Sequence, residues 1–128
     1  GARRCTPLKV SGPFHTRLMA PAGDALAKRF AAEPFGEMSV PVLFNCLGRE
    51  KAESDSIPAL LVRQVQSSVY MEDTLHRLGE LGLDHMLEVG PGNALSGFVK
   101  KTLPGVTCVS VETPAQLDTV LNAWKEEQ

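Results

Sequence analysis

His85-Met86-Leu87-Glu88-Val89 runs into Gly90-Pro91-Gly92-Asn93, then Ala94 to Leu103, then Pro104-Gly105 and Val106 to Val111. The first five residues read as a short strand, cut off by a Gly-Pro-Gly turn that can continue neither a ladder nor a helix. Asn93 stands where a helix N-cap belongs, and Pro104-Gly105 turns the chain into a second strand. Strand, turn, helix, turn, strand is the order of a parallel βα unit, so this stretch predicts an α/β fold. Towards the C-terminus, Thr113-Pro114-Ala115-Gln116 is a capping box that opens a last helix to about Lys125. Towards the N-terminus, Met71 to Leu81 places Leu75, Leu78 and Leu81 at helical spacing, and Gly82 supplies the left-handed stop. Ser56 caps another helix, with Pro58 in its first turn and Leu60, Leu61, Gln64 and Val65 following.

Gly48 to Ser56 reads as a polar loop. Before it, Val40 to Leu47 is nearly continuous and apolar, the pattern of a strand covered on both faces, with Pro41 at its start. Ala22 to Ala32 is helical, with Leu26, Ala27 and Phe30 on one face, and Pro34 ends it. Thr6 to Val10 reads as the end of a strand stopped by Ser11-Gly12-Pro13. A doubly wound sheet normally begins with several hydrophobic strands, and here the first is a stub. The chain therefore reads as the back end of a larger α/β protein.

Composition narrows the function. At 43% hydrophobic and 22% charged residues, the 128-residue chain can build a core, which excludes a disordered tail. Thirteen Lys and Arg against fifteen Asp and Glu leave a net charge of -2, with no field to hold a phosphate backbone, so nucleic acid is not expected as a partner. No apolar stretch reaches the roughly 20 residues that span a bilayer, so a membrane is not expected either. Gly1 to Arg4 is basic but leads into no apolar signal-peptide core. Cys5, Cys46 and Cys108 are odd in number and far apart, which fits reduced thiols in a cytoplasmic protein rather than a disulfide or zinc framework.

Three places carry possible chemistry. His15 follows Ser11-Gly12-Pro13-Phe14 just after a strand, where open α/β sheets place their sites; the competing reading is a solvated loop histidine. His76 and His85 sit on element flanks without evident partners and read as structural or solvated. Glu88 to Asn93 is a tight βα turn, or else an anion site at a helix N-terminus. It lacks the third glycine of GxGxxG and the Lys-Ser/Thr of a Walker loop. Arg63-Gln64, on a mostly apolar helix, is either a solvated edge or a buried hydrogen-bonding pair. No GxSxG nucleophile elbow occurs in the sequence, so a complete Ser–His enzyme is not encoded here.

Val10-Ser11-Gly12-Pro13-Phe14-His15-Thr16-Arg17-Leu18-Met19, Pro41-Val42-Leu43-Phe44-Asn45, Leu61-Val62-Arg63-Gln64 and Glu88-Val89-Gly90-Pro91-Gly92 together resemble, in order and spacing, the C-terminal part of the malonyl-CoA:acyl carrier protein transacylase family. The resemblance runs from about Val10 to the C-terminus. It implies an α/β-hydrolase-like large subdomain, with residues 1–10 the last strand of an inserted ferredoxin-like subdomain and 11–128 the returning part of the large one. It implies that His15 is the catalytic base and that the backbone carbonyl of Gln64 orients it. The family's nucleophilic serine and its carboxylate-binding arginine would lie upstream, in the missing N-terminal part of the same enzyme.

The substrates it implies are a CoA thioester, malonyl-CoA, and the phosphopantetheine thiol of acyl carrier protein, with no metal and no further cofactor. Phe14 beside His15 is the residue that related acyltransferases for malonyl units often carry, which assigns it to substrate binding. Where the family often has Pro-Val-Gln-Trp, this chain has Ser68-Val69-Tyr70-Met71. Two rivals remain: a polyketide-synthase acyltransferase domain, against which the chain end at Lys125 to Gln128 counts, and a non-catalytic α/β module that only binds a partner.

Overall fold

The computed structural model describes residues 1–7 and 9–126, and divides the chain into two compact units, Gly1–Tyr70 and Met71–Gln128. Leu8, Glu127 and Gln128, on which parts of the expected first strand and chain end fall, lie outside the described residues.

In the first unit a single 3₁₀ turn, Arg17–Met19, feeds helix α1, Ala20–Phe30. The helix starts at Ala20 rather than Ala22 because Pro21 takes a first-turn position, where no N–H is required. It ends at Phe30 rather than Ala32, where the Ala32 N–H turns back to the Arg29 carbonyl and tightens the last turn. Helix α2, Ile57–Val65, begins at Ser56, whose Oγ accepts the Ala59 N–H at 3.5 Å. The two helices approach closely at buried Gly23, where a Cβ would stand 2.7 Å from Gln66 Nε2.

The apolar run 40–47 does not form the long covered strand expected of it. Only Leu43–Phe44 (β1) is extended into a ladder, and it pairs antiparallel with Arg49–Glu50 (β2). The polar segment 48–56 thus opens with a strand. The turn 45–48 closes with Leu47 and Gly48 N–H groups on the Phe44 carbonyl, Gly48 taking φ 68°. What the apolar run reports is burial: Phe44 and Cys46 pack against Leu60 of α2 as the core of this unit. Thr6, Pro7, Lys9 and Val10 lie in no strand, so the strand end expected there is not formed among the described residues.

The second unit contains α3 (Met71–Glu80), β3 (His85–Val89), α4 (Ala94–Thr102), β4 (Thr107–Val111) and α5 (Pro114–Glu126). Gly82, at φ 71°, ends α3 with its N–H on the Gly79 carbonyl. Strands β3 and β4 pair in parallel from His85 opposite Thr107 to Val89 opposite Val111, so the α/β class read from this stretch is the observed one. Alternation puts Met86, Glu88, Cys108 and Ser110 on one face. Ser96 of α4 bonds Glu88, Cys108 and Ser110 on that face, while the His85 ring meets Trp124 of α5 edge-on at 6.1 Å on the other. Leu75, Val99, Val111 and Val120 are the buried apolar residues of this unit. Helix α5 opens with both halves of the capping box: Thr113 Oγ1 accepts from Gln116 N–H, and Gln116 Oε1 accepts from Thr113 N–H. Among the described residues, no helix is long and apolar enough to cross a membrane.

Candidate active site

His15 sits in the loop between residue 12 and the 3₁₀ turn at φ 60°, the one non-glycine residue at positive φ among those described. That conformation is uncommon for a side chain with a Cβ and is held only where its surroundings require it. Thr16 provides such surroundings: its hydroxyl donates to the Pro13 carbonyl at 2.8 Å and accepts the Leu18 N–H at 3.3 Å. The Thr16 carbonyl takes the Met19 N–H at 2.9 Å.

So held, His15 places Nδ1 3.0 Å from the main-chain oxygen of Gln64, 49 positions away. A carbonyl oxygen only accepts, so Nδ1 carries the proton and the neutral ring keeps its lone pair on Nε2. The ring is exposed, and Nε2 bonds to none of the described residues. Gln64 can offer its carbonyl because it lies in the last turn of α2, where backbone oxygens run out of intrahelical donors. Its side chain is also engaged: Oε1 accepts the Asn45 N–H at 3.0 Å, and the Asn45 carbonyl accepts the Tyr70 N–H at 2.9 Å. The Arg63-Gln64 pair therefore splits, Arg63 turning to solvent and Gln64 inward to bonds.

Phe14 is 53% exposed, with its ring beside the Gly12 backbone, where a Cβ would touch it at 3.5 Å. The other two histidines do have partners. His76 Nε2 lies 3.9 Å from Glu72, and His85 Nδ1 lies 3.0 Å from Asp84, whose carboxyl that bond holds below its ordinary range.

The glycine turn of the second unit is built as a turn. Gly90 and Gly92 adopt φ 134° and 90°, open to glycine alone without strain. Its N–H groups are spent within the protein: Gly90 on the Val111 carbonyl, Gly92 on the Glu112 carboxylate. Asn93 makes no side-chain cap bond; Glu88 does that work from the end of β3. Its carboxylate accepts the Leu95 N–H at 3.1 Å, the Ser96 N–H at 2.8 Å and the Ser96 hydroxyl at 2.6 Å. Two carboxylates at this helix start leave an anion unwelcome. The Ser96 bonds, first hydroxyl then backbone, hold the Glu88 carboxyl below the usual range. A cleft of about 520 Å³ between α4 and β4 is lined by Ser96, Lys100, Cys108 and Ser110, but its hydroxyls are already committed to Glu88.

No family model matches the sequence. The chain is 35% identical over 127 residues to the malonyl CoA-acyl carrier protein transacylase of Bacillus subtilis, which is 99% of this chain and 40% of that protein. It also superposes on the malonyl CoA-acyl carrier protein transacylase of Clostridium perfringens with a TM-score of 0.85 at 35% identity, covering 94% of this chain and 38% of that one. Along nearly its whole length the chain is similar to malonyl-CoA:acyl carrier protein transacylases. It spans about 40% of the length of the curated transacylases it matches. A second structure, a type II PKS acyl-carrier protein in complex with its malonyl-transacylase, gives a TM-score of 0.84 at 35% identity over 96% of this chain and 40% of that one.

Three features of the site and its surroundings are not evident from the sequence. Thr16 followed by a short helical turn is a capping signal, and reading it would have located the strap around His15. Glu88, a carboxylate at the end of an otherwise apolar strand, was the sign of a partner across the turn. The Asn45 backbone tie to Gln64 left no sequence signal, because a main-chain N–H has no side-chain signature.

Proposed function

We propose that this chain carries the general-base half of an acyl-transfer site, acting on malonyl units passed between coenzyme A and acyl carrier protein. The observation that carries the reading is the exposed His15 ring, fixed through Nδ1–H on the Gln64 carbonyl with Nε2 left open. In this reading Nε2 removes the proton of a serine hydroxyl as the serine oxygen attacks the thioester carbonyl. It returns that proton to the departing CoA sulfur. In the second half-reaction Nε2 takes the proton of the phosphopantetheine thiol, which displaces the acyl group, and gives it back to the serine. A thioester is already activated, so an oriented neutral imidazole suffices and no triad carboxylate is needed. The Gln64 carbonyl holds the ring orientation through both transfers without burying a second charge.

The serine nucleophile and the arginine for the malonyl carboxylate are assigned to the part of the protein upstream of this chain, as the 40% coverage of the relatives and the lack of a GxSxG motif support. Residues 1–10 are assigned to the end of an inserted ferredoxin-like subdomain, and the reaction to the cytoplasm with no cofactor. Phe14 is assigned to the acyl pocket. The complex of a type II PKS carrier with its malonyl-transacylase favours a second reading, in which the carrier served belongs to polyketide rather than fatty-acid synthesis.

The test is acyl-enzyme formation in the protein extended by its upstream part. After brief exposure to malonyl-CoA, intact-mass measurement should find a malonyl adduct. His15→Ala should slow its appearance by about 10²–10⁴-fold, the usual worth of a positioned base. An adduct that forms at the wild-type rate in His15→Ala would remove His15 from the chemistry.

A further inference from the structure

Resting on the reading of His15 as the base, we propose that Thr16 is a positioning residue whose hydroxyl sets which imidazole nitrogen faces the substrate. His15 is held at φ 60°, and the bonds that flank it both end on one oxygen atom: Thr16 Oγ1 reaches back to the Pro13 carbonyl at 2.8 Å and forward to the Leu18 N–H at 3.3 Å. The first bond closes a short loop over Phe14 and His15, and the second ties the residue that closes it to the turn that follows. The 3₁₀ turn Arg17–Met19 that follows is anchored on the same residue, since Thr16 is its N-cap.

Without the hydroxyl, the Pro13 carbonyl and the Leu18 N–H lose their common partner. His15 is then free to relax from the left-handed region to the broad extended region that a histidine prefers. A change of φ at His15 swings its Cα–Cβ bond, and the ring leaves the Gln64 carbonyl that fixes Nδ1–H. The consequence is specific: Nδ1 loses its acceptor, the two tautomers mix, and Nε2 carries a proton part of the time. An Nε2 that is already protonated in the neutral ring cannot accept the proton of a nucleophile. Thr16 thereby acts on the proton inventory of the base without touching substrate.

The experiment is long-range ¹H–¹⁵N NMR of the imidazole in the 128-residue chain at a pH where His15 is neutral, with far-UV circular dichroism on the same samples. Wild type should show the Nδ1–H tautomer dominant. Thr16→Val, of nearly the same shape, should lose that dominance and give a mixture with unchanged helix content. Thr16→Ser, which keeps the hydroxyl, should keep the wild-type spectrum. A Thr16→Val ring that stays fixed as Nδ1–H overturns the proposal, and so does a Thr16→Ser ring that mixes. Loss of helix in Thr16→Val alone would give the hydroxyl to folding and overturn it too. A wild-type ring that already mixes its tautomers would instead sink the orienting role of Gln64, so the two failures are told apart.

Discussion

At the residue scale, Phe14 and His15 are neighbours with different proposed roles, and they are expected to respond differently to substitution. The Phe14 ring stands half exposed one position before the proposed base, and in the proposed acyl pocket it would narrow the space for an acyl group carrying an α-methyl. Rejection of one methyl by such a ring is worth about 1–3 kcal/mol. Phe14→Ser in the extended enzyme is expected to narrow the ratio of kcat/KM for malonyl over methylmalonyl units, chiefly by improving the methylmalonyl reaction. An unchanged ratio would make the ring packing and nothing more. Gln64 offers a second contrast, because its carbonyl survives any substitution while its side chain does not. Gln64→Ala leaves the half-buried Asn45 N–H without its acceptor, at a cost of about 1–3 kcal/mol. It should therefore lower Tm and loosen the His15 contact together, whereas Gln64→Glu, which keeps an acceptor oxygen, should lower both less. Equal thermal stability of Gln64→Ala and wild type would show that the Asn45 tie carries no weight.

At the element scale, the joint between β3 and α4 turns on one carboxylate. Glu88 accepts from two N–H groups in the first turn of α4 and from two serine hydroxyls, and its pKa is lowered, so folding favours its charged form. The stabilisation is fully present above the ordinary glutamate range and is lost as pH falls through the lowered folded value. Urea unfolding of the second unit between neutral and acid pH should show that loss, and Glu88→Gln should be less stable at neutral pH and flatter with pH. A wild-type profile as flat as that of Glu88→Gln would contradict this role. This joint also shows what sequence discloses. The Gly-Pro-Gly turn, the strand pair and the Thr113-Gln116 capping box were legible because each is a local device whose partners lie a few residues apart. Val40 to Leu47 misled because an apolar run records burial, and whether a strand forms depends on a neighbour to pair with. Glu88 in place of Asn93 as the cap is a contact across a turn, invisible to rules that look at the N-cap position alone. The meeting of His15 and Gln64 was reached through family resemblance; spacing alone left both residues open.

At the scale of the whole molecule, the second unit holds a parallel sheet of two strands, each with one edge unpaired among the described residues. Val89, Leu95 and Phe98 are exposed in that unit, at 76%, 44% and 46%. Two strands are few for a parallel sheet, and open edges with apolar surface invite pairing. The isolated chain is therefore expected to associate with itself or with the upstream part of the protein; a clean monomer in sedimentation, with one cooperative unfolding transition, would contradict that. The proposed function carries the same expectation to activity, since a base whose nucleophile lay on another segment would have no acyl-enzyme to form. The decisive measurement is malonyl transfer from malonyl-CoA to holo acyl carrier protein, assayed for the 128-residue chain alone and for the same chain joined to its upstream part. Background hydrolysis from the chain alone, and transfer from the joined protein that His15→Ala depresses by about 10²–10⁴-fold, is the predicted result. Robust, His15-dependent transfer by the 128 residues alone, or full activity of the joined His15→Ala protein, would contradict it.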